Sequence, residues 1–217
     1  MTAQEPISLG AITEAGAENR SERRDAAANR ALILETAVSL FAAHGVPGVS
    51  MADIADAAGV GKGTLYRRFA NKGELCLALM DAQMTTFQET MLGRMRTMTV
   101  NGVTPLAQLE AFLEALVHFT AEHQPLLCEV QREGLLQNQS ENLSLPHFWQ
   151  YMTVSGLLQT AVNTGEISSD LDIGYLADAL LAPLKTDLFR FQREVRGFSL
   201  ERISAGLGSI VAALGRR

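Results

Sequence analysis

Within the stretch VGKGTLYRRF, residues 60 to 69, a lysine, a threonine hydroxyl, a phenol and two guanidinium groups follow one another closely. Lys62, Thr64, Tyr66 and Arg67 are the residue types that bind phosphates and read base edges, so the first question is which phosphate. The order Gly61-Lys62-Gly63-Thr64 resembles a nucleotide-binding loop. That loop needs G-x-x-x-x-G-K-[ST], because backbone N–H groups must curl around a phosphate and a hydroxyl must follow the lysine directly to reach magnesium. Asp56 stands where the first glycine belongs, and Gly63 where the hydroxyl belongs. The preceding SMADIADAAG has a helical pattern, whereas the loop follows a buried strand. A mononucleotide site is excluded on both counts.

The spacing suits a duplex better. At about 100° per residue around a helix, Leu65 and Phe69 share one face and Gly63 and Arg67 point nearly opposite. Lys62 and Tyr66 lie on one flank, Thr64 on the other, and Arg68 nearer the packed side. Glycine permits close backbone approach, arginine can bracket guanine O6 and N7, and threonine can touch a base or a phosphate. Ser50 sits where an N-cap belongs, before MADIADAA, and Gly59 suits the left-handed position that ends that helix. Two short helices joined by Gly59-Val60-Gly61 make a helix-turn-helix, with the second helix in the major groove. The plain alternative is a helical subdomain whose surface happens to carry bases.

Charge is distributed to match. The 217 residues carry a net charge of −6, which argues against indiscriminate coating of nucleic acid. Residues 20 to 72 nevertheless hold eight Lys and Arg against five acids, a balance of +3, and residues 73 to 217 hold ten against sixteen, a balance of −6. One end is suited to a polyanion and the other is not. Apolar residues form 47% of the chain and charged residues 19%, enough for a substantial core and too little charge for disorder. No apolar run is expected to span a membrane, and residues 1 to 28, which lack apolar periodicity, are expected to form a mobile arm rather than a secretory signal. Cys76 and Cys128 share no ligand spacing and read as free thiols in a reducing cytoplasm.

The elements that must position these groups are all helical. The pattern predicts nine helices: 29–44, 50–58, 60–69, 71–98, 104–123, 125–138, 146–164, 172–195 with a kink at Pro183, and 199–214. Pro105, Pro125 and Pro146 each open one, using the preference for proline at the first helical position. The fold class is all-α, with a helix-turn-helix domain over 29–75 after the arm and a larger helical domain over 76–217.

The block ILETAVSLFAAHGVPGVSMADIADAAGVGKGTLYRRFANKGEL, residues 33 to 75, closely resembles the DNA-binding domain of the tetracycline-repressor (TetR) family of bacterial regulators. The matching elements are the aliphatic helix ending in LFAAHG, then VSMADIADAAGV, then KGTLYRRFANKGEL. The resemblance implies a phosphate-contacting hydroxyl at Ser50 and a recognition helix carrying Lys62, Gly63, Thr64, Tyr66 and Arg67. It also implies a phosphate contact at Lys72, near the positive end of the fourth helix. Gly61 departs from the family pattern, which places a capping serine there. Arg20, Arg23 and Arg24 reach a neighbouring groove or remain solvated.

The same resemblance implies that the C-terminal helices bind a small-molecule effector and form a homodimer on a palindromic double-stranded operator. Candidate effector residues are Phe112, Leu116, His118, Phe148, Trp149 and Met152, with Gln131, Glu133, His147 and Tyr151 as further polar groups; most apolar members of such a set are also ordinary core residues. No cofactor and no metal is expected, since His118 and His123 are five apart and miss the spacing that aims two ligands from one helix face. No nucleophile elbow or ordered catalytic triad occurs. The function expected is a ligand-responsive repressor in the cytoplasm. The alternatives are an effector-independent helical DNA binder and, with no positive support, a helical enzyme.

Overall fold

The computed structural model describes residues 10–135 and 146–215, and the side chains of residues 24–135 and 148–215. Among the described residues every regular element is a helix. In chain order these are α1 (Gly10–His44), α2 (Met51–Ala57), α3 (Lys62–Arg68), α4 (Lys72–Val100), α5 (Pro105–Arg132), α6 (Pro146–Asn163), α7 (Ile173–Leu181), α8 (Thr186–Arg190) and α9 (Leu200–Leu214). A 3-10 turn, Ala182–Leu184, joins α7 to α8, and a π-helical turn, Phe191–Val195, follows α8. The chain divides into two compact units, Met1–Asn71 and Lys72–Arg217.

In the first unit α1 contributes Ile33 and Ala37, both fully buried, with Leu40 and Phe41 half-buried beside them. Ile54 and Ala55 from α2, Leu65 from α3, and Val46, Val49 and Phe69 from the connections complete this core. The helix begins well before the expected residue 29. Residues 10 to 28, expected as an arm, are helical because they are rich in alanine, glutamate and arginine, which propagate a helix without an apolar stripe. One segment of this helix, Arg24–His44, also has the length and mean hydropathy (1.2) of a membrane span, which the sequence reading did not anticipate. Its buried face is occupied by the packing of Ile33 and Ala37, as befits the first helix of a three-helix unit.

The second unit is built around α5, which packs on α4, α6 and α9. Leu109, Phe112, Leu113, Leu116 and Val117 are fully buried along it. Leu158 and Ala161 from α6, Leu180 from α7, Phe189 from α8 and Ile203, Leu207 and Val211 from α9 close the core. Three expectations are corrected here. The break at Pro125 does not occur: one helix runs from Pro105 to Arg132 with Pro125 inside it. Conversely, the long helix expected from 172 to 195 is divided at Pro183, where the kink was expected, into α7, the 3-10 turn and α8. The end expected at residue 138 is also corrected: the helix stops at Arg132, capped at Glu133 and followed by Gly134 with a φ of +70°.

Candidate nucleic-acid interface and the aromatic cluster

Helix α2 starts at a complete capping box. Ser50 Oγ accepts the backbone N–H of Asp53 at 3.2 Å, and Asp53 Oδ2 accepts the backbone N–H of Ser50 at 2.8 Å. The Ser50 hydroxyl donates its proton to the same carboxylate oxygen at 2.7 Å. These bonds, the backbone one first, hold the Asp53 carboxyl below the usual carboxylate range. Ser50 remains exposed. A phosphate contact there would use a hydroxyl whose proton is already shared with Asp53.

The turn between α2 and α3 depends on Gly59, whose φ of +64° lies where a side chain is strained. Val60 N–H returns to the Ala55 carbonyl at 3.0 Å, closing the end of α2. Helix α3 then begins at Gly61, which offers no side-chain cap. Its carbonyl accepts the N–H groups of Thr64 (2.8 Å) and Leu65 (3.1 Å), so this end is held by backbone alone. Leu65 is fully buried and Phe69 nearly so, and the Arg30 guanidinium stands 5.3 Å from the centre of the Phe69 ring. With that side of α3 anchored, Lys62, Gly63, Tyr66 and Arg67 face solvent and Thr64 is half-buried. No neighbouring atom lies within 4 Å of the place where a Gly63 Cβ would stand, leaving the backbone open to approach.

Lys72 is placed differently from its neighbours in this set. Its side chain is 10% exposed and its Nζ lies 3.7 Å from Glu129 Oε1 on α5. Arg132 Nη2 meets the same carboxylate oxygen. Next to Lys72, Gly73 permits the start of α4 to lie close against the end of α5: a Cβ at residue 73 would stand 2.7 Å from Glu133 Cγ and 2.8 Å from Glu133 Cβ.

Three of the six candidate effector residues share one core. Phe112 and Leu116 are fully buried and Trp149 packs against the same cluster, its ring 5.5 Å from Phe112. Phe148 and Met152 are exposed, as is His118 on α5. Gln131 and Tyr151 are half-buried, Glu133 is exposed, and the side chain of His147 lies outside the described residues. The sequence reading missed Phe87 of α4, which contacts Phe119 (4.6 Å), Trp149 (6.1 Å) and Phe112 (6.3 Å). Its signal was present: Met80, Met84, Phe87 and Met91 recur at helical spacing. His123 was also passed over, being weighed only as a metal ligand. It is buried, stacks on Phe119 at 4.2 Å between ring centres, and places Nδ1 2.8 Å from the Phe119 carbonyl.

Cys76 is a free, buried thiol pushed up to about 12, chiefly by burial and then by the Glu129 charge, and Cys128 is a half-buried free thiol also raised by burial. Neither is poised as a nucleophile. Among the described residues no group of three or more His, Cys, Asp or Glu side chains is arranged to hold a metal.

A capped helix, a glycine turn and a second helix with its apolar side buried and its Gly, Tyr and Arg side outward define a helix-turn-helix DNA-binding protein. The family model for bacterial regulatory proteins, tetR family, matches residues 33–79. An HTH-type transcriptional regulator of Staphylococcus aureus (strain bovine RF122 / ET3-1) is 29% identical over 179 residues, covering 82% of this chain and 90% of its own. The fold is shared with the fatty acid degradation regulator FadR from Bacillus halodurans, at a TM-score of 0.59 and 20% identity over 84% of this chain and 93% of that one. It is shared too with FadR from Bacillus subtilis, solved in complex with stearoyl-CoA, at 0.58 and 21% over 86% and 98%. Residues 33–79 thus match the tetR-family DNA-binding domain, and the Staphylococcus protein similar over most of this chain is a transcriptional regulator.

Proposed function

We propose that this regulator is a ligand-responsive repressor in the cytoplasm, binding a palindromic operator as a homodimer and released by a small apolar or amphipathic effector. The observation that carries DNA reading is the two-sidedness of α3: Leu65 and Phe69 are locked in the core, and Gly63, Tyr66 and Arg67 are presented outward. In this reading Arg67 reads a base, Thr64 touches a base or phosphate, and Ser50, Lys62, Tyr66 and Lys72 anchor to phosphates.

Support for a homodimer comes from α9. Ile203, Leu207, Gly208 and Val211 face the core, whereas Gly206, Ser209, Ile210 and Ala213 form an exposed face of small and apolar residues one and two turns apart. Such a face suits close approach of a second helix, and a two-fold pair would present two copies of α3 to successive turns of one side of the duplex. Support for an effector comes from the aromatic cluster of Phe87, Phe112, Phe119 and Trp149 with His123 at its edge, an apolar wall with a polar group of the kind ligand sites use. The stearoyl-CoA bound by the B. subtilis neighbour is an amphipathic molecule on the same fold.

The deciding experiment is in vitro selection of duplexes from a random pool. A palindromic consensus bound with a stoichiometry of one dimer per site is the expected result. Enrichment of no sequence would refute the repressor reading. A thermal-shift screen then separates an effector-responsive protein from an effector-independent one, because a ligand at 100 times its Kd stabilises by about 2.7 kcal/mol.

A further inference from the structure

We propose that Glu129 is an internal anion that competes with operator phosphate for Lys72, so that this ammonium changes partners when the protein takes up DNA. The proposal rests on the reading of Lys72 as a phosphate contact and adds what holds that side chain beforehand. Lys72 opens α4 directly after the first unit ends at Asn71. Its Nζ stands 3.7 Å from Glu129 Oε1, with the two side chains 10% and 5% exposed. A buried carboxylate demands a cation, and stripping it of every partner is heavily penalised. Glu129 has two. Arg132, one helical turn further along α5, places Nη2 nearer the same oxygen and is itself 64% exposed. The carboxylate therefore stays neutralised when Lys72 leaves, and Glu129 Oε1 holds Arg132 more closely than Lys72, whose Nζ stands beyond direct hydrogen-bond length from it. The close approach of α4 and α5 at Gly73 keeps Glu129 beside Lys72 instead of relying on two flexible side chains to find each other.

Exchange has a signature that a fixed structural tie lacks. A phosphate contact made by Lys72 contributes about one unit to the slope of log affinity against log salt. The test uses fluorescence anisotropy of the full-length protein on a selected duplex between 50 and 200 mM salt, for the wild type, Lys72→Met, Glu129→Gln, Arg132→Ala and the Lys72→Met pairings of the last two. Lys72→Met should weaken binding and shallow the slope by about one. Glu129→Gln should tighten binding several-fold by removing this carboxylate's hold on Lys72, and Arg132→Ala should loosen it several-fold by leaving Lys72 as the main cation on the carboxylate. Both effects should vanish in the Lys72→Met background. Arg132 is mostly exposed, so its variant folds even if Glu129→Gln does not, and thermal melting checks each protein. Glu129→Gln weakening binding as much as Lys72→Met, with all slopes unchanged, would overturn the proposal, as would equal effects of either partner variant with and without Lys72. If no duplex is preferred over a scrambled one by the wild type at any salt, the failure lies with DNA recognition itself.

Discussion

The indole of Trp149 meets the ring of Phe112 edge-on, 5.5 Å between centres and 70° between planes, and so ties α6 to the most buried part of α5. Phe87 of α4 touches both rings. A molecule entering among these side chains would therefore alter the surroundings of the one tryptophan in the chain, which makes its fluorescence a direct report on effector binding. If effector and operator favour different conformations, each weakens the other by the same factor, for typical couplings of about 1–3 kcal/mol roughly 5- to 150-fold. Titrating the effector with and without operator while following Trp149 should give two affinities in that ratio. Equal affinities would remove the release mechanism.

Arg67 stands on the outward side of α3, opposite the buried Leu65. Arg67→Ala is expected to leave folding intact and to relax preference at one operator position, costing about 1–3 kcal/mol on the preferred duplex. Selection repeated with the variant is the check. An unchanged consensus would show that Arg67 reads no base.

The local elements around α3 were legible because their signals are short-range: a serine cap, a glycine turn and two apolar anchors at Leu65 and Phe69. The same local logic misjudged Pro125. Proline lacks an N–H and crowds the carbonyl four residues back, yet the buried face Leu116, Phe119, Thr120, His123 and Val130 continues across it on one helix. Tertiary burial outweighed the local preference. Among the described residues the number of α-helices coincides with the expected nine only because this fusion is offset by the division of the 172–195 segment at Pro183. The burial of Lys72 was illegible for a related reason. Its partner Glu129 lies 57 residues away (129 − 72) on another helix, and nothing local marks that pairing.

The exposed face of α9 carries the next expectation. Ile210 is 49% exposed and flanked by Gly206, Ser209 and Ala213. Ile210→Asp places a charge where a second copy would pack, so it should shift sedimentation towards the 23.5 kDa monomer at micromolar concentration. It should leave the thermal stability of each monomer nearly unchanged, because Ile210 does not face the core. A variant that stays dimeric would move the interface away from this face of α9.

Gly73 offers a test of how tightly α4 and α5 are fitted. Gly73→Ala would put a methyl group 2.8 Å from Glu133 Cβ, an atom near the backbone that cannot swing away. Overpacking of this kind typically costs about 1–3 kcal/mol. The helix propensity gained, at most about 1 kcal/mol, does not offset that range. A lower midpoint in urea at unchanged slope is the expected result, and a rise in stability would show that the end of α5 yields freely.

The last expectation concerns acid. Hydrogen bonds from the backbone N–H and hydroxyl of Ser50 hold the Asp53 carboxyl below its usual range, because both favour the charged form. The sign follows from linkage. A carboxyl whose value is depressed by folding stabilises the native state fully above its unfolded value, about 3.9 for aspartate, and loses that contribution as pH falls through the depressed folded value. Wild type and Asp53→Ala should therefore differ by a constant amount in melting temperature from pH 7 down to about pH 5. The wild-type advantage should shrink steadily as pH falls below about 4. Ser50→Ala, which removes the hydroxyl from the same capping box, should cost about 0.5–2 kcal/mol at neutral pH. In the Ser50→Ala background the backbone bond to Asp53 survives, so part of the acid dependence should remain. A gap between wild type and Asp53→Ala that persists undiminished at pH 3 would mean that the carboxylate's charge contributes nothing to capping α2.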